Sequence, residues 1–442
     1  MNTIGNLRLR PMHYYILLSA SMEQIIGAAL STLVGIMLPM IQLLKQPELS
    51  TLVQGLIGAA GLIGIGLGSA VIGAVIDRQG YLLWFRLCPV VIMAGAAVVY
   101  FRPSLLMLGI GFFISGIGVG GGYSLDSAYI SELMPARRRS FMVGVAKGLC
   151  AVGFIGAAVI CYFVLRSDPS PAIWSKLAAI IAAMGLITLL LRIYWVESPE
   201  WLMQQGRTAE AQKAAARMFG PGVTANPLPA REKTLPFSDL FKGENLKRVI
   251  FSGIPWACEG VGVYGIGVFL PVLVMALGLQ SATEHGMPKI ISSVEITAFV
   301  NFFILPGFVL GLWLARRHNH VKLLAWGFIL CAIGLAILLA AYLLKWPVWV
   351  SLVGFILFEL CLNGGPHLIT FIIPAHIFPV ANRGKGTGIA SLLGKVGAIV
   401  GVFFMPMLLD AGGMTLVLTV TGATMLLGAA ISLIYGKMLK LV

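Results

Sequence analysis

The chain has 442 residues, of which 58% are hydrophobic and only 11% charged, with a mean hydropathy of +0.93. A soluble domain carries about 25% charged residues, so lipid is the solvent expected for most of this sequence. The formal charge of +14 points to the membrane rather than to nucleic acid, because the basic residues fall in alternate loops between apolar runs.

A membrane-crossing helix needs about 20 mainly apolar residues. In chain order the apolar runs predict twelve: 14–42, 52–76, 81–101, 104–131, 140–165, 173–195, 247–277, 288–314, 321–343, 347–375, 386–409 and 414–436. The first run is too long, and lacks the small-residue flank, for a cleaved leader. Most Lys and Arg lie in the amino-terminal stretch, the even-to-odd loops and the carboxyl terminus, which places both termini in the cytoplasm. Between the sixth and seventh spans lies the longest polar stretch, about 197–246. Within it TAEAQKAAARMF predicts a short surface helix, and Pro221, Pro227, Pro229 and Pro236 end it. The expected domains are a first bundle over 1–196, a linker over 197–246 and a second bundle over 247–442.

One loop signature occurs twice. Glu132-Leu-Met-Pro135-Ala-Arg-Arg-Arg139 is matched by His376-Ile-Phe-Pro379-Val-Ala-Asn-Arg383, and GAVIDR (73–78) by GLWLAR (311–316). Duplicated halves in an apolar chain are the pattern of a transporter built from repeats. The fold class expected is therefore all-α and membrane-embedded, with twelve transmembrane helices in two pseudo-symmetric six-helix bundles.

These motifs resemble the major facilitator superfamily. GSAVIGAVIDRQGY (68–81) is similar to its loop between the second and third helices. VESPEWLMQQGRTAEA (196–211) is similar to the motif closing the first half of sugar-porter-type members, with Val196 for the first Pro and Glu200 for the Arg. The segment 363–401 is similar to the proton-coupled phosphate and organic-anion branch, with His367 for an Asn and His376 for a Glu. Trp256 and Tyr264 stand eight apart as in the phosphate symporters. The acid between them in that branch falls on Gly260, with Glu259 beside it. The branch's fourth-helix Asp falls on Gly122, beside Tyr123, and its first-helix Asp is replaced by Glu23.

An ionisable group at the middle of a membrane helix costs roughly 2.5–3.5 kcal/mol, so each one demands a reason. Lys395, in SLLGKVGAIVG, and Lys147, in VGVAKGLCAVG, are candidates to attract an anionic substrate; the plainer reading of each is a structural partner for a buried acid. Trp256, Tyr264, Tyr123 and Glu259 complete the candidate substrate-binding set, against ordinary core packing. Asp126 and Glu23 are candidate proton carriers. Burial disfavours a charged carboxylate and a nearby cation favours it, so such an acid can change state with conformation. The alternative is a permanent salt bridge to Lys147. Glu259 could also take the proton. Glu359 reads as an interhelical hydrogen-bonding group. His367 reads as a core histidine unless the tenth span breaks at Gly364-Gly365-Pro366.

Asp77, Arg78, Glu132, Arg139 and Arg383 sit at cytoplasmic helix ends and are the candidate gating network. No nucleophile–base set, phosphate loop or metal-ligand spacing suggests an enzyme. GIGVGGGY (116–123) lies in an apolar span, where close helix packing explains it better than nucleotide binding. The six cysteines have no zinc spacing and read as buried thiols. The function expected is a proton-coupled symporter of a small anionic metabolite, a carboxylate or phosphate compound. A proton-coupled sugar or polyol transporter, a drug/proton antiporter and a non-transporting receptor are the alternatives. The expected partners are substrate, protons and lipid, with no cofactor, no metal and no nucleic acid, for a monomer in the cytoplasmic membrane.

Overall fold

The computed structural model describes residues 2–44, 49–101, 104–225, 236–280, 283–378 and 383–441, without the side chains at 2, 77, 127, 140, 375, 383 and 384. Among the described residues eleven helices are long and apolar enough to cross a membrane. They run Pro11–Leu43, Thr51–Ile76, Tyr81–Phe101, Leu105–Leu133, Phe141–Ser167, Pro171–Leu191, Gly243–Ala276, Met287–Ala315, His320–Leu343, Val348–Pro374 and Lys385–Met438. The last is two helices merged across a kink, because Gly412 and Gly413 leave helical geometry and Gly413 has φ of 60°. The sequence reading separates its last two spans at the same place, so the described chain has the twelve spans expected.

Several spans depart locally from regular α-helix. The fifth breaks at Leu149, between Arg139–Gly148 and Cys150–Ser167. The tenth breaks at Gly365 (φ −127°, ψ −94°), before a helix that starts at Pro366. Proline lacks an N–H and is pre-set for a first helical turn. The seventh contains a π-helical turn, Val261–Ile266, which apolar periodicity cannot reveal. The polar stretch folds as expected into a helix over Thr208–Phe219. Asn2–Thr3 pairs in parallel with Val223–Thr224 just after it, and the Arg10 guanidinium donates to the Phe219 carbonyl at 2.5 Å.

The chain forms two compact units. One comprises Met1–Leu30, Ala60–Gly153 and Ala178–Arg231; the other comprises Ser31–Ala59, Phe154–Leu177 and Glu232–Val442. In the first, the glycine-rich run of the fourth span lets helices touch backbone to backbone. A Cβ on Gly116 would stand 2.2 Å from the Gly61 carbonyl oxygen, and one on Gly120 would stand 2.1 Å from that of Ile65. In the second, the far ends of the first and second spans pack on the chain's second half. A Cβ on Gly35 would lie 1.8 Å from the Val268 oxygen and one on Gly55 would lie 2.3 Å from the Phe403 oxygen. Asn301 donates to the Phe154 carbonyl at 3.5 Å within the same unit.

Candidate functional site: buried charges in each unit

In the first unit the buried charge centres on Arg192, which is wholly inaccessible to solvent, as is Glu23. The two form a forked pair, with Arg192 Nη1 donating to Glu23 Oε1 at 2.6 Å and Nη2 donating to Oε2 at 2.5 Å. Nη2 also donates to the Ser19 carbonyl at 2.8 Å, and Nη1 to the Phe85 carbonyl at 3.1 Å. Phe85 and Trp195 lie 4.7 and 5.4 Å from the guanidinium carbon, within cation–π range. Asp126 Oδ1 is 3.8 Å from Nη2. Among the described residues neither Asp126 oxygen accepts a hydrogen bond. Two carboxylates thus face one cation.

This corrects one expectation. The partner of the two acids is Arg192, not Lys147. Arg192 was not singled out from sequence, although its setting in LITLLLRIYW is apolar on both sides, and that was the available signal. Lys147 is half-buried beside the break at Leu149, with no ion pair recorded for it among the described residues.

The replaced fourth-helix acid also finds its reason. A Cβ on Gly122 would stand 2.1 Å from Cγ and 2.5 Å from Cδ of Glu23. Glu23 reaches from the first span into the space that a side chain at 122 would fill. The hydroxyl of Tyr123, next along, would be 2.3 Å from a Cβ on Gly27, so this tyrosine lies against the first span.

In the second unit the seventh span meets the eleventh through glycine. A Cβ on Gly260 would stand 2.6 Å from the Gly394 oxygen, and one on Gly397 would stand 2.1 Å from the Ala257 oxygen. No acid fits at 260, and the carboxylate is at Glu259 instead. Trp256 lies on Gly394, whose added Cβ would meet the indole at 2.6 Å, and crosses Phe371 edge-on at 6.2 Å. Lys395 Nζ sits 5.7 Å from the Tyr264 ring centroid. The π turn explains why residues eight apart both face the eleventh span. An α-helix would turn them about 80° apart, and the wider π turn reduces that angle. Π turns are frequent at functional sites.

Glu259 is almost inaccessible and its Oε1 lies 3.7 Å from His367 Nε2. His367 Nδ1 is 2.9 Å from Asn363 Oδ1, and Asn363 Nδ2 donates to Glu359 Oε2 at 3.0 Å and to the Glu359 carbonyl at 2.8 Å. The break at Gly365 that the His367 reading required is present. His367 is therefore part of a polar chain rather than an isolated core residue.

The proposed gate residues fall at the loop ends. Glu132 accepts from the Tyr81 hydroxyl at 3.0 Å and from the Ser198 hydroxyl, so its described hydrogen bonds are with hydroxyls of the first unit. Glu197 caps the third span, accepting from the Tyr81 and Leu82 N–H groups at 2.8 and 3.1 Å. Gly80 makes this possible, having φ of 84° and no Cβ to meet Glu197. Arg78 is exposed and Arg139 is half-buried. Partial burial pushes the Glu200 carboxyl up from its usual value, and Arg139 opposes this. The side chains of Asp77 and Arg383 lie outside the described residues. Ser198 and Glu197 were not singled out as site residues from sequence, and Glu359 was read only as a hydrogen-bonding group.

The chain is a multi-pass helical membrane protein with paired charges inside its spans. Residues 19–439 match the family of sugar (and other) transporters, and the chain belongs to that family, within the sugar-porter-like part of the major facilitator superfamily. It is 28% identical over 401 residues to the inner membrane metabolite transport protein YgcS of Escherichia coli K12, covering 90% of this chain and 86% of that one. It is 25% identical to the niacin transporter NiaP of Acinetobacter baylyi, covering 90% and 88%. A partially occluded inward-open structure of the xylose transporter XylE from E. coli aligns with a TM-score of 0.78 at 19% identity, over 95% of this chain and 97% of that one; at that identity the likeness is one of fold.

Proposed function

We propose that the protein is a proton-coupled symporter of a small anionic metabolite, with an organic carboxylate or a phosphate compound as cargo. Lys395 carries this reading. An ammonium in the middle of an apolar span, over the Tyr264 ring and one residue from the Trp256 stack, is suited to a carboxylate attached to a flat or apolar body. The seven- and eleven-span aromatics supply contact area, and the amine supplies the charge. A relative described as a niacin transporter makes a pyridine carboxylate a natural first probe.

Coupling would reside in the Glu23–Arg192–Asp126 cluster. Two carboxylates against one guanidinium leave one surplus negative charge in lipid, and one proton removes it. Glu23 holds the guanidinium in a fork and makes a poor carrier, whereas Asp126 makes no such bonds and is the better candidate. The Arg-rich loops put both termini in the cytoplasm. Two six-helix bundles, 1–196 and 247–442, would rock about this site.

The test is thermal stabilisation of purified protein by nicotinate, inorganic phosphate and D-xylose, followed by uptake of the stabilising compound into proteoliposomes. An anion that stabilises, and is driven inward by an imposed pH gradient only when Lys395 is intact, is the expected result. The neutral-sugar reading is favoured by the family and by a neighbour described as a D-xylose-proton symporter. Stabilisation by xylose alone, unaffected by Lys395→Ala, would establish it instead.

A further inference from the structure

We propose that Glu259 and His367 hold one exchangeable proton between them, oriented by Asn363 and Glu359, as a second proton site in the second unit. The argument runs from donor and acceptor chemistry. The Glu359 main-chain carbonyl can only accept, and it lies 2.8 Å from Asn363 Nδ2. The amide therefore presents its NH₂ to Glu359 and its oxygen to His367. An amide oxygen can only accept, so His367 Nδ1, 2.9 Å away, carries the proton. That fixes the tautomer of the neutral ring and turns Nε2 toward Glu259 Oε1 at 3.7 Å.

With one proton in the gap the pair is neutral, as either imidazole with carboxylic acid or imidazolium with carboxylate. With none, a carboxylate faces a nitrogen lone pair in a nearly waterless setting. The surroundings decide which charge can be tolerated. Phe308 of the eighth span covers the ring at 5.2 Å between centroids, Glu359 is at the far end of the chain, and Lys395 of the eleventh span stands at Tyr264, five residues along the seventh span from Glu259. Glu359 and Asn363 sit four apart on one helix face, and His367, just past the break at Gly365, is joined to them through Asn363. The proton would come from water and return to it, with no other reactant.

This site is separate from the acids around Arg192, and its test does not depend on transport. Full-length protein labelled with ¹⁵N histidine is reconstituted in nanodiscs, and the His367 ring signals are assigned by their loss in His367→Gln. The expected result is a ring that keeps its Nδ1 proton throughout a pH titration while the Nε2 signal responds. In Glu259→Gln the Nε2 response should be lost from that pH range, and Asp126→Asn should leave it in place. Asn363→Leu, which removes the positioning oxygen, should release the tautomer and produce a mixed signal. A bare Nδ1 in the wild type, or an Nε2 response indifferent to Glu259→Gln, would overturn the proposal. Should Glu259→Gln not fold, the wild-type tautomer and its pH response decide the matter. Loss of the response in Asp126→Asn would instead merge the two proton sites into one and refute their separateness.

Discussion

Arg192→Met is the most incisive perturbation of the first unit. It removes both arms of the fork to Glu23, the donors to Ser19 and Phe85 and the charge facing Asp126. Breaking a buried ion pair from one side costs about 3–5 kcal/mol, because the remaining charge is stranded; here two carboxylates are stranded. Folded proteins are stable by about 5–15 kcal/mol, so roughly a fifth or more of the total is at stake. The double variant Glu23→Leu with Arg192→Met leaves only Asp126, which one proton neutralises, and replaces the fork by apolar contact. It should therefore recover much of what Arg192→Met loses. Arg192→Lys should fall between, since a single ammonium cannot reproduce the planar fork. Thermal unfolding of the purified variants in one detergent ranks them. A Met variant that unfolds with the wild type, or a double variant worse than the single one, would refute the assignment of Arg192 as the guanidinium that neutralises these acids.

Asp126→Asn should leave thermal stability near wild type, since Asp126 makes no hydrogen bond to lose, while uptake against a gradient in proteoliposomes disappears; preserved concentrative uptake removes it as proton carrier. Gly122→Ala drives a methyl into Glu23 and should cost at least the ~1–3 kcal/mol of overpacking, read as a lowered unfolding temperature. Lys395→Ala should abolish saturable uptake of the stabilising anion with little loss of fold, as seen by size-exclusion profile and unfolding temperature. Ser198→Ala removes an N-cap to Trp201 at 3.0 Å and a donor to Glu132, for a cost of about 1 kcal/mol visible as a small, reproducible drop in unfolding temperature.

The architecture was legible because lipid imposes it. Spans, the linker helix and the division near Gly412 all follow from runs of apolar residues interrupted by glycine, proline and charge. The site was legible only residue by residue. Glu23, Asp126, Lys395 and Glu259 declared themselves as charges in apolar surroundings, yet a sequence does not say which charge meets which. Lys147 is the partner the sequence suggests, and Arg192 is the one the structure supplies. The choice was made by geometry, because a planar fork on the sixth span reaches a carboxylate and two carbonyls at once. The hydrogen-bonded chain on the tenth span was half visible in the spacing of Glu359, Asn363 and His367. Its meaning depended on Glu259 arriving from another helix.

The two glycines at acid positions show how such sites move without leaving the fold. At 122 a side chain would overlap Glu23, and at 260 it would overlap the backbone of the eleventh span. In each case a carboxylate is supplied from elsewhere, from the first span in one unit and from the neighbouring residue in the other. Close helix contact and acid placement are therefore coupled choices. A larger residue at either glycine displaces a backbone or an existing charge, so restoring the acid at 122 would also require shortening Glu23. The double variant Gly122→Asp with Glu23→Ala tests this directly. If the space at Gly122 is what decides where the carboxylate sits, the double variant should fold with an unfolding temperature above that of Gly122→Asp alone. Equal temperatures for the two would show that the location of the acid is set by something other than that overlap.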